Sequence, residues 1–170
     1  MLGVSRRSER LILKDAGSKM TIRRKTRDLA RRLLEYEAMA GESPESMESA
    51  STRVYEKLRQ SLGEFVGAAG FHSLASRALA LARPDAPSLS AARVTADGSF
   101  EDLGEIEPQI DDDKDQAGEY PSGGGGAILI TRLLDLLLIF LGESLTLSLL
   151  RNAWPSAAFD DRNSVHGRKA

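Results

Sequence analysis

Few side chains in this chain are of the types that do chemistry, and their spacings are poor. His72-Ser73 pairs a base with a hydroxyl on paper. Adjacent helical residues point about 100° apart, and no third group is placed to orient the imidazole, so the pair reads as ordinary helix surface. Asp111-Asp112-Asp113 with Asp115 offers carboxylate oxygens to a divalent cation. It lacks the glycine and terminal glutamate of an EF-hand loop, and reads as a solvated acidic loop. Ser122-Gly123-Gly124-Gly125-Gly126 precedes an apolar helix, where backbone amides can hold phosphate. The Lys-Ser/Thr of a P-loop and a leading strand are missing, so a flexible linker is the expectation. Arg132 and Asp135 sit three apart and read as a rim ion pair on one helix. No HExxH, GxSxG, GxGxxG or kinase-type set occurs.

Composition excludes further classes. The 170 residues contain no Cys and two His. Disulfides, thiolate catalysis, iron–sulfur clusters and Cys-ligated zinc are therefore ruled out, and a metal site of His alone is unfavourable. The expectation is a non-enzymatic protein with no cofactor and no metal.

The net charge of -2 hides a division. Residues 1–32 carry eleven Lys and Arg against three acids, a net of +8. From Asp97 to Glu119 there are ten acids and one base, Lys114. The cations Arg23, Arg24, Lys25, Arg27, Arg31 and Arg32 share one helical segment and form a basic patch able to contact phosphates. No aromatic residues interleave, so nucleic acid is the weaker reading beside a solvated helix face.

These residues must be positioned by helices. Ile22, Leu29, Leu33, Tyr36 and Ala40, with Thr26 between, form a narrow stripe over 21–40, with Ser18 as candidate N-cap. Residues 1–19 read as a basic, disordered extension, with Met20 an alternative natural start. Three consecutive apolar residues, Leu11 to Leu13, are too few for a secretory signal, and the expected location is cytoplasmic.

In the second helix, Val54, Tyr55, Leu58, Leu62, Phe65, Val66 and Ala69 share one face, capped by Ser51 or Thr52. Gly70 is a candidate stop or bend. Phe71, Leu74, Ala75, Ala78, Leu79 and Ala82 make a third stripe that Pro84 and Pro87 end. Around Asp97-Gly98 a hairpin is expected. A three-residue loop Ala96-Asp97-Gly98, with Gly98 left-handed, sets Val94 across from Phe100 so that both bury together. Residues 104–126 read as a mobile acidic and Gly-rich linker, and 156–170 as a polar tail.

Residues 127–150 are the most apolar segment, with eleven Leu, three Ile and one Phe. Arg132, Asp135, Glu143 and Thr146 lie in one stripe, read as a wet edge. Length permits a membrane span, which is the alternative reading, but the longest uncharged apolar run is only Leu136 to Leu141. As a soluble core helix it calls for more cover than the other helices supply. Leu133, Leu137, Leu138, Leu141 and Leu145 are therefore expected at an interface with a second copy or with a helical protein partner.

Val54-Tyr55-Glu56-Lys57-Leu58-Arg59, Val66-Gly67-Ala68-Ala69-Gly70-Phe71, Ser76-Arg77-Ala78-Leu79-Ala80-Leu81-Ala82 and the Leu-rich helix before Trp154-Pro155 resemble a group of bacterial helical proteins. The resemblance covers about 20–155. It implies a bacterial source and supports Met20 as a start, but supplies no activity and no catalytic residue. The expected fold is mainly α: a single domain over 20–155 of three or four helices with one short hairpin. Its expected role is a self-associating, non-enzymatic interaction module.

Overall fold

The computed structural model describes residues 6–41, 49–101 and 124–157, with side chains described from residue 20 onward in the first stretch. It is a mainly α bundle. Helix α1 spans Arg6–Ala40, α2 spans Ala50–Ala82, α3 spans Gly124–Leu141 and α4 spans Glu143–Ala153. A 3₁₀ turn, Pro87–Ser90, and two short strands, β1 (Arg93–Val94) and β2 (Phe100–Glu101), lie between α2 and α3.

Helix α1 is longer than its stripe implies. It begins at Arg6, so Ser18 is an interior residue and not the N-cap, and residues 6–19 are helical. Its buried line also differs from the expected one. Thr26, Ala30, Leu33 and Glu37 are buried, at steps of four, three and four, while Ile22, Leu29 and Tyr36 are half-buried and Ala40 is exposed.

Helix α2 starts one turn before the apolar face. Ser49 is the cap, its Oγ accepting from the Thr52 N–H at 3.2 Å, so the expected caps at 51 and 52 fall inside the helix. The break comes at Gly67 and not at Gly70, with φ 72° and ψ 167°. Sixteen residues of straight helix would separate Tyr55 from Phe71 by about 24 Å. The break folds the chain so that their rings lie 5.6 Å apart. Phe100 closes on the other side of Tyr55 with an edge contact at 4.8 Å, and the Tyr55 hydroxyl donates to the Gly98 carbonyl at 2.6 Å.

The hairpin has the expected register. Val94 pairs with Phe100, Thr95 N–H donates to Ser99 O at 2.9 Å, and Gly98 takes φ 82°. A Cβ at Gly98 would come within 2.7 Å of the Phe71 ring, so this turn needs glycine both for its backbone and for close approach.

The Leu-rich segment is two helices. Gly142, at φ 79°, divides α3 from α4. Gly124, Gly125 and Gly126 belong to α3, the latter two buried, and do not belong to the linker expected over 104–126. A Cβ on Gly126 would meet Ser51 at 2.5 Å, so the glycine lets α3 start tight against the start of α2.

Six contacts fix the directions. Glu37 of α1 meets Arg53 and Lys57 of α2, so α1 and α2 run antiparallel. Gly126 beside Ser51 sets α3 alongside the first half of α2. Thr26 hydrogen-bonds Asp135, so α3 is antiparallel to α1. Helix α4 then returns from Glu143, beside Lys25, to Trp154, beside Glu37. The core is Leu33, Leu58, Leu62, Phe71, Leu129, Ile130, Leu133, Leu134, Leu137, Leu150 and Trp154, all below 2% exposed except Leu58 at 2%.

Candidate interaction site

The two ends of the bundle carry different chemistry. At the lower end, where α1 finishes and α2 begins, Glu37 is buried with 1% exposure. Its Oε1 accepts from Lys57 Nζ at 2.5 Å and from Trp154 Nε1 at 2.6 Å. Arg53 Nε lies 3.5 Å from the other oxygen, and Arg53 Nη2 donates to the Glu37 carbonyl at 2.6 Å. Burial pushes this carboxyl's pKa up. The hydrogen bonds from Lys57 and Trp154, with the charges of Lys57 and Arg53, outweigh burial and hold it below the ordinary carboxylate value. Two donors hold Oε1, and a second cation faces Oε2. The cluster is a clamp that joins α1, α2 and the end of α4.

A second polar group sits between α1 and α3. Thr26 Oγ1 donates to Asp135 Oδ1 at 2.6 Å, Arg132 Nη1 lies 3.5 Å from Asp135 Oδ2, and Arg132 also pairs with Asp85. The expected Arg132–Asp135 pair is present, but Asp135 is only 9% exposed and Thr146 is 1% exposed. The stripe read as a wet edge therefore faces inward there, because Thr26 supplies a partner to Asp135 that the helix alone does not reveal.

The upper end is where α3 turns into α4. From Ser51 to Val66, and from the adjacent Gly126 to Leu141, the chain climbs the same 15 residues, about 22 Å. From Thr26, opposite Asp135, six residues back reach Met20, level with Leu141. Three helices therefore deliver apolar side chains to one height. Met20, Phe65, Ile139 and Phe140 are 77%, 60%, 65% and 63% exposed, and Leu145 is 45% exposed on the first turn of α4.

The residues expected at an interface divide across this boundary. Leu133 and Leu137 are core residues of the bundle itself, covered by α1 and α2, and present nothing to a partner. Leu138 and Leu141 are half-buried, and Leu145 is exposed. The shortage of cover expected for this segment does not arise, because the turn at Gly142 lets α4 fold back over the bundle. Phe65, expected on the buried face of α2, is exposed because the chain breaks two residues later.

Of the basic patch, Arg23, Arg24, Lys25, Arg31 and Arg32 are exposed and Arg27 is half-buried. Lys25 pairs with Glu143 at 2.8 Å and Arg31 with Asp28 at 3.4 Å. His72 is half-buried, and Ser73 Oγ donates to the Ala69 carbonyl at 3.0 Å, an ordinary helix contact. Asp111 to Asp115 and Ser122-Gly123 lie outside the described residues. Among the described residues no group of three His, Asp or Glu stands close enough to hold a metal ion.

By length and composition α2 and α3 are apolar enough to cross a membrane. Helix α3 is the central helix of the bundle and mostly buried within it, and α2 is broken at Gly67. Comparisons with protein-family models, curated proteins and solved structures return no match.

Proposed function

We propose that this chain is a cytoplasmic, non-enzymatic interaction module that docks through the α3–α4 corner. The observation that carries this reading is the placement of Met20, Phe65, Ile139 and Phe140 at one height of the bundle, whereas Met39 and Leu81, the other large apolar side chains exposed among the described residues outside this end, stand apart from one another. Single exposed apolar residues are ordinary on any surface. Large apolar side chains exposed at one height of three helices offer more contact surface than scattered ones. The self-association expected from the sequence is one form of such docking, and it would run through this corner and not through Leu133 or Leu137.

The test is a paired measurement on the full chain and on an Ile139→Glu, Phe140→Glu double variant. Both side chains are solvent-exposed, so helix content and melting temperature stay as in the wild type. Self-association or binding of an apolar dye is lost in the variant. If mass in solution, dye binding and solubility are all identical in the two proteins, the corner is inert and the reading fails.

A further inference from the structure

We infer that the corner docks onto the surface of an anionic lipid bilayer, an inference that rests on the docking reading above. Two independent features meet at this end. The first is the apolar group, Ile139 and Phe140 foremost. The second is charge. Helix α1 passes the corner at Met20 and continues to Arg6. Between Arg6 and Arg32 it carries eleven Lys and Arg against three acids, net +8, in a chain of net charge -2. Arg23 and Arg24, one turn from Met20, are exposed beside the corner.

Apolar side chains that enter the headgroup–acyl boundary, combined with a cationic helix that gathers anionic headgroups, are the two signals a reversible surface anchor needs. Neither suffices alone. A second copy of this chain fits less well, because it would bring the same strongly cationic α1 to the same place, and like charge opposes that approach. A bilayer surface containing phosphatidylserine presents opposite charge and an apolar layer together. The protein docks as a folded bundle, since α3 supplies the core and cannot leave it without unfolding.

The experiment is co-sedimentation of the full chain with vesicles of phosphatidylcholine, with and without phosphatidylserine. Binding is expected only with phosphatidylserine, and it weakens as salt rises. Ile139→Ser with Phe140→Ser, and separately Arg23→Glu with Arg24→Glu, each weaken binding at least tenfold without loss of helix. Trp154, the single tryptophan, lies buried at the opposite end, so its emission is unchanged on binding.

No retention by phosphatidylserine vesicles, or retention that ignores either pair of substitutions, overturns the inference. A shift in Trp154 emission with protection of α3 from protease also overturns it, because α3 would then be inserted as a span. A dimer in solution that the Ile139/Phe140 variant dissociates, with no vesicle binding, assigns the corner to a second copy. That result removes the lipid and leaves the docking reading standing. A corner whose substitution changes neither mass, dye binding nor vesicle binding removes both.

Discussion

The lower end of the bundle buries a charged clamp with Met39 exposed near it, and the upper end exposes apolar side chains from three helices. At the lower end Glu37, Lys57, Arg53 and Trp154 bring together segments up to 117 positions apart. At the upper end Met20, Phe65, Ile139 and Phe140 converge on one height and stay exposed. At these two places burial follows partner availability. A carboxylate goes inside where two donors and a second cation await it, and a phenyl ring stays outside where the helices have run out.

The largest effect expected from breaking this contrast is at Trp154. Trp154→Ala empties a large site that is 1% exposed and removes a donor from Glu37, at a cost of about 3–5 kcal/mol in urea unfolding. Glu37→Gln comes next, at about 2–3 kcal/mol, below the full cost of breaking a buried pair because the Lys57 side chain is 41% exposed and water still reaches it. This carboxyl's folded pKa lies below its ordinary value of 4.5. Its stabilisation is therefore present above about 4.5 and is lost as pH falls through the folded value. Melting temperature measured through the acid range falls less steeply in Glu37→Gln than in the wild type.

Gly142→Ala tests the turn that builds the corner. Nothing crowds the position, but φ is 79°, so the cost is about 1–2 kcal/mol of backbone strain. Thr146→Val works in the opposite direction. Thr146 Oγ1 is buried with no hydrogen-bond partner among the described residues, and an isosteric apolar group raises stability by about 1 kcal/mol in the same assay. Phe140→Ser sharpens the contrast by its smallness. Exposed at 63%, the ring contributes little to the fold, and unfolding changes by under about 0.5 kcal/mol.

The local devices were the legible part of this fold. Asp97-Gly98 with Val94 and Phe100 dictates a three-residue loop and its register, because only one pairing buries both apolar side chains. Helix α2 ends where Pro84 requires, after Ala82. The breaks at Gly67 and Gly142 are less legible, since an isolated glycine within an apolar run is compatible with continuous helix, and Gly70 offers an equal signal.

The inward turn of Asp135 depends on Thr26 of α1 arriving from over a hundred residues away. The lower clamp has a trace in the sequence. Glu37 lies four after Leu33, on the line through Thr26 and Ala30, and Arg53 and Lys57 are spaced to meet it. The upper corner is visible only once three helix lengths are compared, because its exposure results from where each helix stops.

The long reach of Glu37 and Thr26 also governs how the chain comes into being. Their partners Trp154 and Asp135 leave the ribosome 117 and 109 residues later. At about 5–20 residues per second, α1 waits roughly 5–23 s for these partners, and α2, nearer in the chain, waits less. During that interval Leu33, Leu58, Leu62 and a half-formed buried carboxylate face water. Until Trp154 emerges, the Glu37 clamp lacks one of its two carboxylate donors, so the bundle closes only as its last helix is made.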